Sequence, residues 1–392
     1  MSVPVTTFDP TASGVVADPY PIFAELRART PVAWHEPLGM FLAFTYEHAN
    51  AVLRDRRLGR IWRDREPAQR FEPFNLLHRN QMMENEPPTH TRLRRLVAKA
   101  FARGHIERLR PRVRRLADDL LDRMADLGRA DLIADYAEPL PVAVIAELLG
   151  VPEGDRHLLR PWSQAIVKMY EYGGGEEVER AAVAASQEFA AYLRGLARER
   201  RARPRDDLVS HLAASQERPS EDELVASAIL LLNAGHEASV NAFGNGMVAF
   251  FNHPDQLARL RAEPGLTPAA VEEMIRYDAP LHLFERTATE DVEVGGQLIR
   301  AGQKIAALLG SANRDPAAFS HPDLFDIARE PNPHVGFGAG VHFCLGAPLA
   351  RMELQLALLA LLRRFPRLEP AGEPVRRPTF VLRGYHSIPV TF

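Results

Sequence analysis

Apolar residues recur at three- and four-residue spacing along most of this chain, which is the pattern of amphipathic helices. Helices are predicted for the segments with this spacing, namely residues 20–29, 47–56, 89–101, 104–127, 139–149, 153–170, 176–202, 205–214, 221–252, 254–262, 268–278 and 346–364. Strand-like runs are fewer and cover residues 32–36, 40–44, 291–308 and 379–392, with a predicted hairpin turn at 36–39. The pattern predicts a mainly α fold with a minor β portion, in a single domain over residues 1–392.

The segment 221–252 stands out because it is apolar on nearly every face. Ser220 and Glu223 have the spacing of a capping box that starts a helix here. Such a helix spans roughly 45 Å, and one that is apolar all round is buried in the centre of a large protein. Buried polar groups must be paired or serve a function, and the middle of the segment holds Asn233, His236, Glu237 and Ser239.

Composition is that of an ordinary globular enzyme, with 46% apolar and 25% charged residues. The net charge of −3 gives no support for nucleic-acid binding. The first residues lack the charged and apolar regions of a signal peptide. No run reaches the roughly 18 apolar residues of a membrane span. We therefore expect a cytoplasmic protein without a membrane or nucleic-acid partner.

The only cysteine, Cys344, lies in the glycine-rich stretch FGAGVHFCLG, residues 337–346. A free cysteine is most often a small buried apolar residue, and spacing alone leaves open a nucleophile with a histidine base. A zinc site with His342 lacks a second ligand pair at suitable spacing. The glycines also lack the G-x-G-x-x-G register of a dinucleotide-binding loop.

A thiolate bound to haem iron accounts for the whole stretch. The predicted helix after Cys344 carries Pro348 in its first turn, and its free N–H groups stabilise an anionic sulfur. Glycines allow the backbone to approach a flat macrocycle. Phe337 can pack against the porphyrin, and His342 can reach a propionate.

The stretch resembles the haem-ligand signature F-G-x-G-x-H-x-C-x-G of the cytochromes P-450, the haem-thiolate monooxygenases, at every fixed position. The resemblance extends over essentially the whole chain and is to the soluble bacterial type. It implies the cytochrome P-450 fold, with haem b between the long central helix and the cysteine-loop helix. Cys344 would be the axial metal ligand, and Phe337 and Gly346 would contact the cofactor.

Further motifs follow the family in order. Glu273 and Arg276 match its E-x-x-R ion pair, on a helix predicted to start with Thr267 as N-cap, and the resemblance makes Arg329 the third partner. The haem propionates would be held by four residues from distant parts of the chain, His90, Arg94, Arg286 and His342. Arg92 and Arg95, which lie beside Arg94, are interpreted as solvated.

The central helix departs from the family at one position. Ala234, Gly235 and Glu237 fit the oxygen-binding segment A/G-G-x-D/E-T, in which the acid and the alcohol deliver protons during oxygen activation. The threonine position is Ala238. Ser239 carries a hydroxyl but is rotated by about 100° around the helix. A substrate hydroxyl with ordered water, Ser239 after a helix distortion, or peroxide as oxidant are three hypotheses for this departure.

The resemblance implies a monooxygenase that inserts one oxygen atom from O2 into a small organic substrate by hydroxylation or epoxidation, in bacterial secondary or xenobiotic metabolism. Electrons would come from a separate ferredoxin and ferredoxin reductase. A peroxide-driven peroxygenase and a non-enzymatic haem sensor are the alternatives. The substrate pocket would draw on an arginine-rich loop at 60–84, and the stretch 170–177 would join two lid helices.

Overall fold

The computed structural model describes residues 3–217 and 219–392. Within these ranges the α-helices are α1 (Ser13–Ala17), α2 (Tyr20–Arg29), α3 (Tyr46–Arg54), α4 (Ala68–Arg79), α5 (Thr89–Ala98), α6 (Arg103–Ala125), α7 (Pro139–Leu149), α8 (Arg156–Val167), α9 (Glu176–Ala202), α10 (Leu208–Ala213), α11 (Glu221–Asn252), α12 (Pro254–Ala262), α13 (Thr267–Tyr277), α14 (Leu309–Ala312) and α15 (Ala347–Arg364).

The strands of the same ranges are short. They are β1 (Val5–Thr6), β2 (Val32–His35), β3 (Met40–Ala43), β4 (Leu58–Gly59), β5 (Arg129–Asp131), β6 (Leu283–Ala288), β7 (Val292–Val294), β8 (Gln297–Ile299), β9 (Lys304–Leu308), β10 (Glu369–Pro370), β11 (Val375–Arg376), β12 (Tyr385–Ser387) and β13 (Pro389–Thr391). The predicted mainly α fold with a minor β portion is confirmed.

The chain forms two compact units. The sheet unit comprises the chain up to Gly59 together with residues 117–137 and 238–392, and it holds every strand that the structure describes. The helical unit comprises residues 60–116 and 138–237. No helix within the described ranges combines the length and the apolar character needed to cross a membrane. That residues 1–392 make a single domain stays a prediction.

The largest sheet has the strand order β1-β2-β3-β9-β6-β4. The predicted hairpin is confirmed, with Val32 opposite Ala43 and a positive φ of 61° at Gly39 in the turn. Strand β6 was not predicted, because its middle carries the polar residues Glu285, Arg286 and Thr287, although four of its six residues are buried. A core of buried apolar side chains from this sheet and α3 also includes Val335 and Ala339. The sheet core therefore fixes the loop that leads to Cys344.

The segment 60–84 is not a loop, and that prediction is wrong. Helix α4 occupies Ala68–Arg79 and buries Phe71, Phe74 and Leu77, which lie three residues apart. Pro67 and Pro73 disguise the helix in the sequence, because proline ordinarily interrupts the backbone hydrogen bonds of a helix interior. Here Pro67 precedes the first turn, and burial of the apolar side chains outweighs the one bond that Pro73 removes.

Helix α11 begins as its sequence predicts. The Ser220 N–H donates to Glu223 Oε2 at 2.9 Å, and the Glu223 N–H donates to Ser220 Oγ at 3.1 Å. Glu223 also accepts hydrogen bonds from Arg92 of α5. Arg95 of the same helix binds Glu217, at 2.6 and 3.0 Å. The interpretation of these two arginines as solvated agrees with their side-chain exposure of 38% and 64%, and the structure adds that each binds a carboxylate near the start of α11.

The predicted Glu273–Arg276 pair is a fully buried ion pair, with Arg276 Nε 2.7 Å from Glu273 Oε2. Arg329 is the third partner and donates to both Glu273 oxygens at 3.2 and 3.1 Å. Thr267 is not the N-cap of this helix, because Leu266 occupies that position and Thr267 donates its hydroxyl to the Pro264 carbonyl. The ion cluster is thus confirmed and the cap is corrected.

Replacing Glu273 with Gln should lower the free energy of unfolding by about 3–5 kcal/mol, because two arginines lose their buried counter-charge. Urea denaturation followed by circular dichroism measures the change. The matched control is Glu293→Gln, at an exposed position on β7, where we expect a loss below about 0.5 kcal/mol. Equal losses in the two variants would contradict the structural importance of the cluster.

Candidate active site

The loop before α15 holds Cys344 through its backbone. The Cys344 N–H donates to the Phe337 carbonyl at 2.9 Å, and the Phe343 N–H donates to the Gly340 carbonyl at 3.1 Å. A 3-10 turn over Gly340–His342 lies between these bonds. Gly338 and Gly340 both have a φ of 70°, a left-handed conformation that favours glycine. The glycine spacing of the motif is thus explained by the turn itself.

Gly340 is required for a second reason. A side chain on it would place its Cβ 2.5 Å from the Leu53 carbonyl oxygen and 3.1 Å from Arg54 Cα. Both atoms are backbone at the end of α3, so they cannot rotate away. The cysteine loop therefore lies directly against the main chain of α3.

Helix α15 begins at Ala347, three residues after Cys344, with Gly346 at its N-cap and proline in its first turn as predicted. The Cys344 side chain is half-buried. The first N–H groups of a helix have no partner within it, and the helix dipole favours negative charge at this end. The position favours the thiolate form of Cys344 over the thiol.

Arg351, one turn into α15, adds a positive charge at this site. Its guanidinium donates two hydrogen bonds of 2.7 Å to Glu272 and lies 4.4 Å from the centre of the Phe337 ring. Its pKa is raised, chiefly by the hydrogen bonds to Glu272 and further by the nearby Cys344 sulfur. Sequence reasoning missed Arg351, although its place seven residues after Cys344 on the following helix was visible.

Glu272 holds Arg351 in this position and is held in turn by His334, whose Nε2 lies 3.1 Å from Glu272 Oε2. Burial alone raises the pKa of Glu272, but the hydrogen bonds from Arg351 and His334 outweigh it and bring the pKa to about 2. Glu272 therefore stays ionised at neutral pH, and the Phe337 ring of the cysteine loop packs against its two partners, Arg351 and His334.

The other predicted cofactor residues of the sheet unit lie on β6 and on the cysteine loop. Arg286 is buried opposite Ile305, with its guanidinium carbon 4.6 Å from the Phe284 ring centre and one N–H donated to the Glu285 carbonyl. His342 is half-buried at the end of the 3-10 turn.

His90 and Arg94 belong to the helical unit, on α5. They lie four residues apart and thus on one face of the helix, as predicted. His90 is buried and Arg94 half-buried. Their predicted role at a haem propionate stays a prediction.

Helix α11 has one accessible patch in its buried length. Between Leu224 and Met247 every residue is buried except Ala234, Gly235 and Ala238. The patch consists only of small residues, so a flat macrocycle can approach the helix backbone there. A Cβ on Gly235 would lie 3.0 Å from Ile145 of α7, so glycine at 235 also permits the close packing of these two helices.

The polar residues of α11 beside this patch are buried. His236, Glu237 and Ser239 are all buried, whereas Ala238, at the expected threonine position, is accessible. The predicted rotation of Ser239 away from position 238 is consistent with this difference. The side chains around Cys344 fit a thiolate ligand, and the small residues of α11 leave the backbone of that helix accessible.

The pH dependence of stability should report the Glu272 interactions. Because the pKa of Glu272 is lowered in the folded state, its contribution is present above its ordinary pKa of 4.5 and is lost as the pH falls to about 2. We expect the difference in unfolding free energy between the wild type and Glu272→Gln, up to about 3 kcal/mol, to shrink across this range. Urea titrations at several pH values measure it, and a constant difference would contradict the ion pair.

Comparison with known proteins identifies the family. The family model "Cytochrome P450" matches residues 166–384. Cytochrome P450 monooxygenase PikC of Streptomyces venezuelae is 41% identical over 99% of this chain and 94% of its own length. The 6-deoxyerythronolide B hydroxylase of Saccharopolyspora erythraea is 40% identical over 95% of this chain and 96% of the relative.

A solved structure, the myxobacterial cytochrome P450 CYP267B1 in complex with myristic acid, superposes with a TM-score of 0.88 at 40% identity and covers 97% of both chains. The match thus extends over nearly all of each chain. With the cysteine loop and the helix that follows it, these likenesses establish that the chain belongs to the cytochrome P450 family and is a haem-dependent monooxygenase.

Proposed function

We propose that Cys344 is the axial ligand of haem b in an enzyme that hydroxylates a small organic molecule bearing a hydroxyl group of its own. One observation carries the assignment of the ligand. The cysteine loop leads directly into the start of α15, and Arg351 of that helix places a positive charge near the Cys344 sulfur. Haem held by this thiolate would supply the chemistry of O2 activation and oxygen-atom insertion. Every other contribution comes from side chains of this chain.

The proposed haem contacts form two groups, one polar and one apolar. Arg286, His342, His90 and Arg94 would donate charge-assisted hydrogen bonds to the propionates. Ala234, Gly235, Phe337 and Gly346 would give space or apolar contact to the macrocycle. The burial of Arg286 supports its role, because a buried guanidinium is stable only beside acceptors or anions.

Glu237 is the proposed proton donor on the distal side. It is buried directly beside the accessible Ala238, where the family pattern has an alcohol. Ser239 is buried, which argues against its replacing that alcohol. We therefore favour a hydroxyl of the substrate, with ordered water, as the group that completes proton delivery, and hold peroxide-driven turnover as the alternative.

The proposed electron donors are a ferredoxin and a ferredoxin reductase. The single cysteine of these 392 residues is committed to the haem, and an iron–sulfur centre needs several cysteines. Secondary metabolism is the proposed setting, in line with the hydroxylase name of the relative from Saccharopolyspora.

Replacing Cys344 with Ser should abolish the long-wavelength Soret band of the reduced, carbon monoxide complex, because an alcohol does not supply a thiolate ligand. Absorption spectroscopy of the reconstituted protein measures the band. The matched control, Ser239→Cys, leaves Cys344 in place and should retain it. A retained band in Cys344→Ser would contradict the assignment of the ligand.

Replacing Ala238 with Thr should raise product formed per NADH for substrates without a hydroxyl, because the protein then supplies the missing alcohol. For a hydroxyl-bearing substrate the threonine should compete with the substrate group and lower this ratio. Product and hydrogen peroxide are measured per NADH consumed, with Ser239→Ala as the control that leaves both ratios unchanged. A better rate with hydrogen peroxide alone than with the ferredoxin system would favour the peroxygenase.

A further inference from the structure

A cluster of buried ionisable side chains lies within the helical unit, apart from the cysteine loop. Its members are Glu138, His236 and Glu237, which are 2%, 0% and 4% exposed. Burying three such groups is costly unless they are paired or used. Only Glu237 has a place in the proposed chemistry.

Glu138 immediately precedes α7 and is held by two residues of α8. Its Oε2 lies 2.6 Å from a guanidinium nitrogen of Arg160, and its Oε1 accepts a hydrogen bond from the Gln164 amide. Glu138 is thereby fixed in orientation, with its Oε1 turned toward α11. Its charge is balanced by an arginine whose side chain is 49% exposed.

His236 lies between the two carboxylates. Its Nε2 is 4.0 Å from Glu138 Oε1, and its Nδ1 is 3.8 Å from Glu237 Oε1. These distances exceed a direct hydrogen bond, but one water molecule or a small side-chain rotation spans each of them. The two ring nitrogens therefore face one acid each, which is the arrangement by which an imidazole accepts a proton on one side and releases one on the other.

The cluster connects two environments. Its outer end is the exposed guanidinium of Arg160, and its inner end is Glu237, next to the accessible Ala238 of α11. No residue of the cluster lies within two positions of Cys344 in the chain. A buried path of ionisable groups from solvent to the accessible patch of α11 is suited to carrying protons.

The geometry points to His236 as a relay residue that returns protons to Glu237, with Glu138 as the residue that positions and reloads it. The inference rests on the proposed role of Glu237. The neutral His236 ring, protonated at Nδ1, takes at Nε2 a proton that reaches it from solvent through Glu138, and the resulting imidazolium releases its Nδ1 proton to the Glu237 carboxylate. Tautomerisation of the ring from its Nε2–H form back to its Nδ1–H form completes the cycle. The net event moves one proton inward, and no electrons are transferred.

The test uses the holoenzyme and starts from two cluster variants and two control variants. His236→Gln and Glu138→Gln remove proton exchange but keep polar side chains of similar size. The matched controls are His157→Gln, an exposed histidine of α8, and Glu147→Gln, a carboxylate of α7 that binds Arg112. Each variant must retain the Soret band of the carbon monoxide complex, so that a folding defect is recognised.

The first measurement is an NMR titration of isotopically labelled histidine in the diamagnetic reduced carbon monoxide complex. The His236 resonance is the one that disappears in His236→Gln. Loss of the facing carboxylate in Glu138→Gln should lower the His236 pKa by about one unit. The control Glu147→Gln should leave the His236 pKa unchanged. An unchanged His236 pKa in Glu138→Gln overturns the relay.

The second measurement is NADH-dependent oxygen uptake with a surrogate ferredoxin and reductase, and myristic acid is the probe. Oxygen uptake is chosen as the readout because it proceeds whether or not the fatty acid is hydroxylated. His236→Gln and Glu138→Gln should slow uptake about tenfold and raise its solvent deuterium isotope effect about twofold. Glu138→Asp should restore part of the rate. The affinity for myristic acid, read from the Soret shift, should stay within about twofold of the wild-type value in these variants. If the cluster had only a structural role, its variants would change this affinity as well as the rate.

Glu237→Gln separates the two proposals. Slow uptake in Glu237→Gln with normal uptake in His236→Gln leaves the role of Glu237 intact and overturns the relay. Normal uptake in Glu237→Gln overturns the proposed role of Glu237 and the relay with it. Normal uptake in both control variants together with slow uptake in all three cluster variants supports the relay.

Discussion

The buried guanidinium of Arg276 is the constraint on which the position of the cysteine loop depends. A charged group without solvent must find an acceptor for each of its N–H groups, and Arg276 obtains them from Glu273 and from the carbonyls of Asn313, Pro322 and Leu324. The chain after α14 is therefore folded around α13. Asn313 in turn accepts the N–H of Val335, two residues before the cysteine motif.

Interactions between residues three positions apart were predicted correctly from local patterns in the sequence. Ion pairs between residues far apart in the chain could not be predicted from spacing. The capping box of α11 and the Glu273–Arg276 pair are set by residues three apart, so their geometry follows from helix periodicity. The cysteine motif is long enough to specify its own turn. By contrast, Arg92 and Glu223 are 131 positions apart, and Arg351 and Glu272 are 79 apart. Spacing along the chain carries no signal for such partners, and only the fold brings them together.

Helix α11 combines two requirements that conflict in most helices. Small residues at 234, 235 and 238 leave its backbone accessible on one side, while buried ionisable residues at 236 and 237 occupy other directions. The successive residues point about 100° apart, so a single turn meets both requirements. The cost of burying charge is met partly by Glu138, which precedes α7, and partly within α11, where His236 and Glu237 face each other.

Contact between Gly340 and the end of α3 is made through main-chain atoms alone. Main-chain atoms are the same whatever the residue, so the exposed side chain of Arg54 can change in evolution without moving the loop, whereas Leu53 is held by its place in the buried core of the sheet. The outer surface of α3 is thus free to diverge among relatives or to be redesigned for a new partner. At this contact the backbone sets the position of the cysteine loop, and Gly340 is the residue whose lack of a side chain allows the approach.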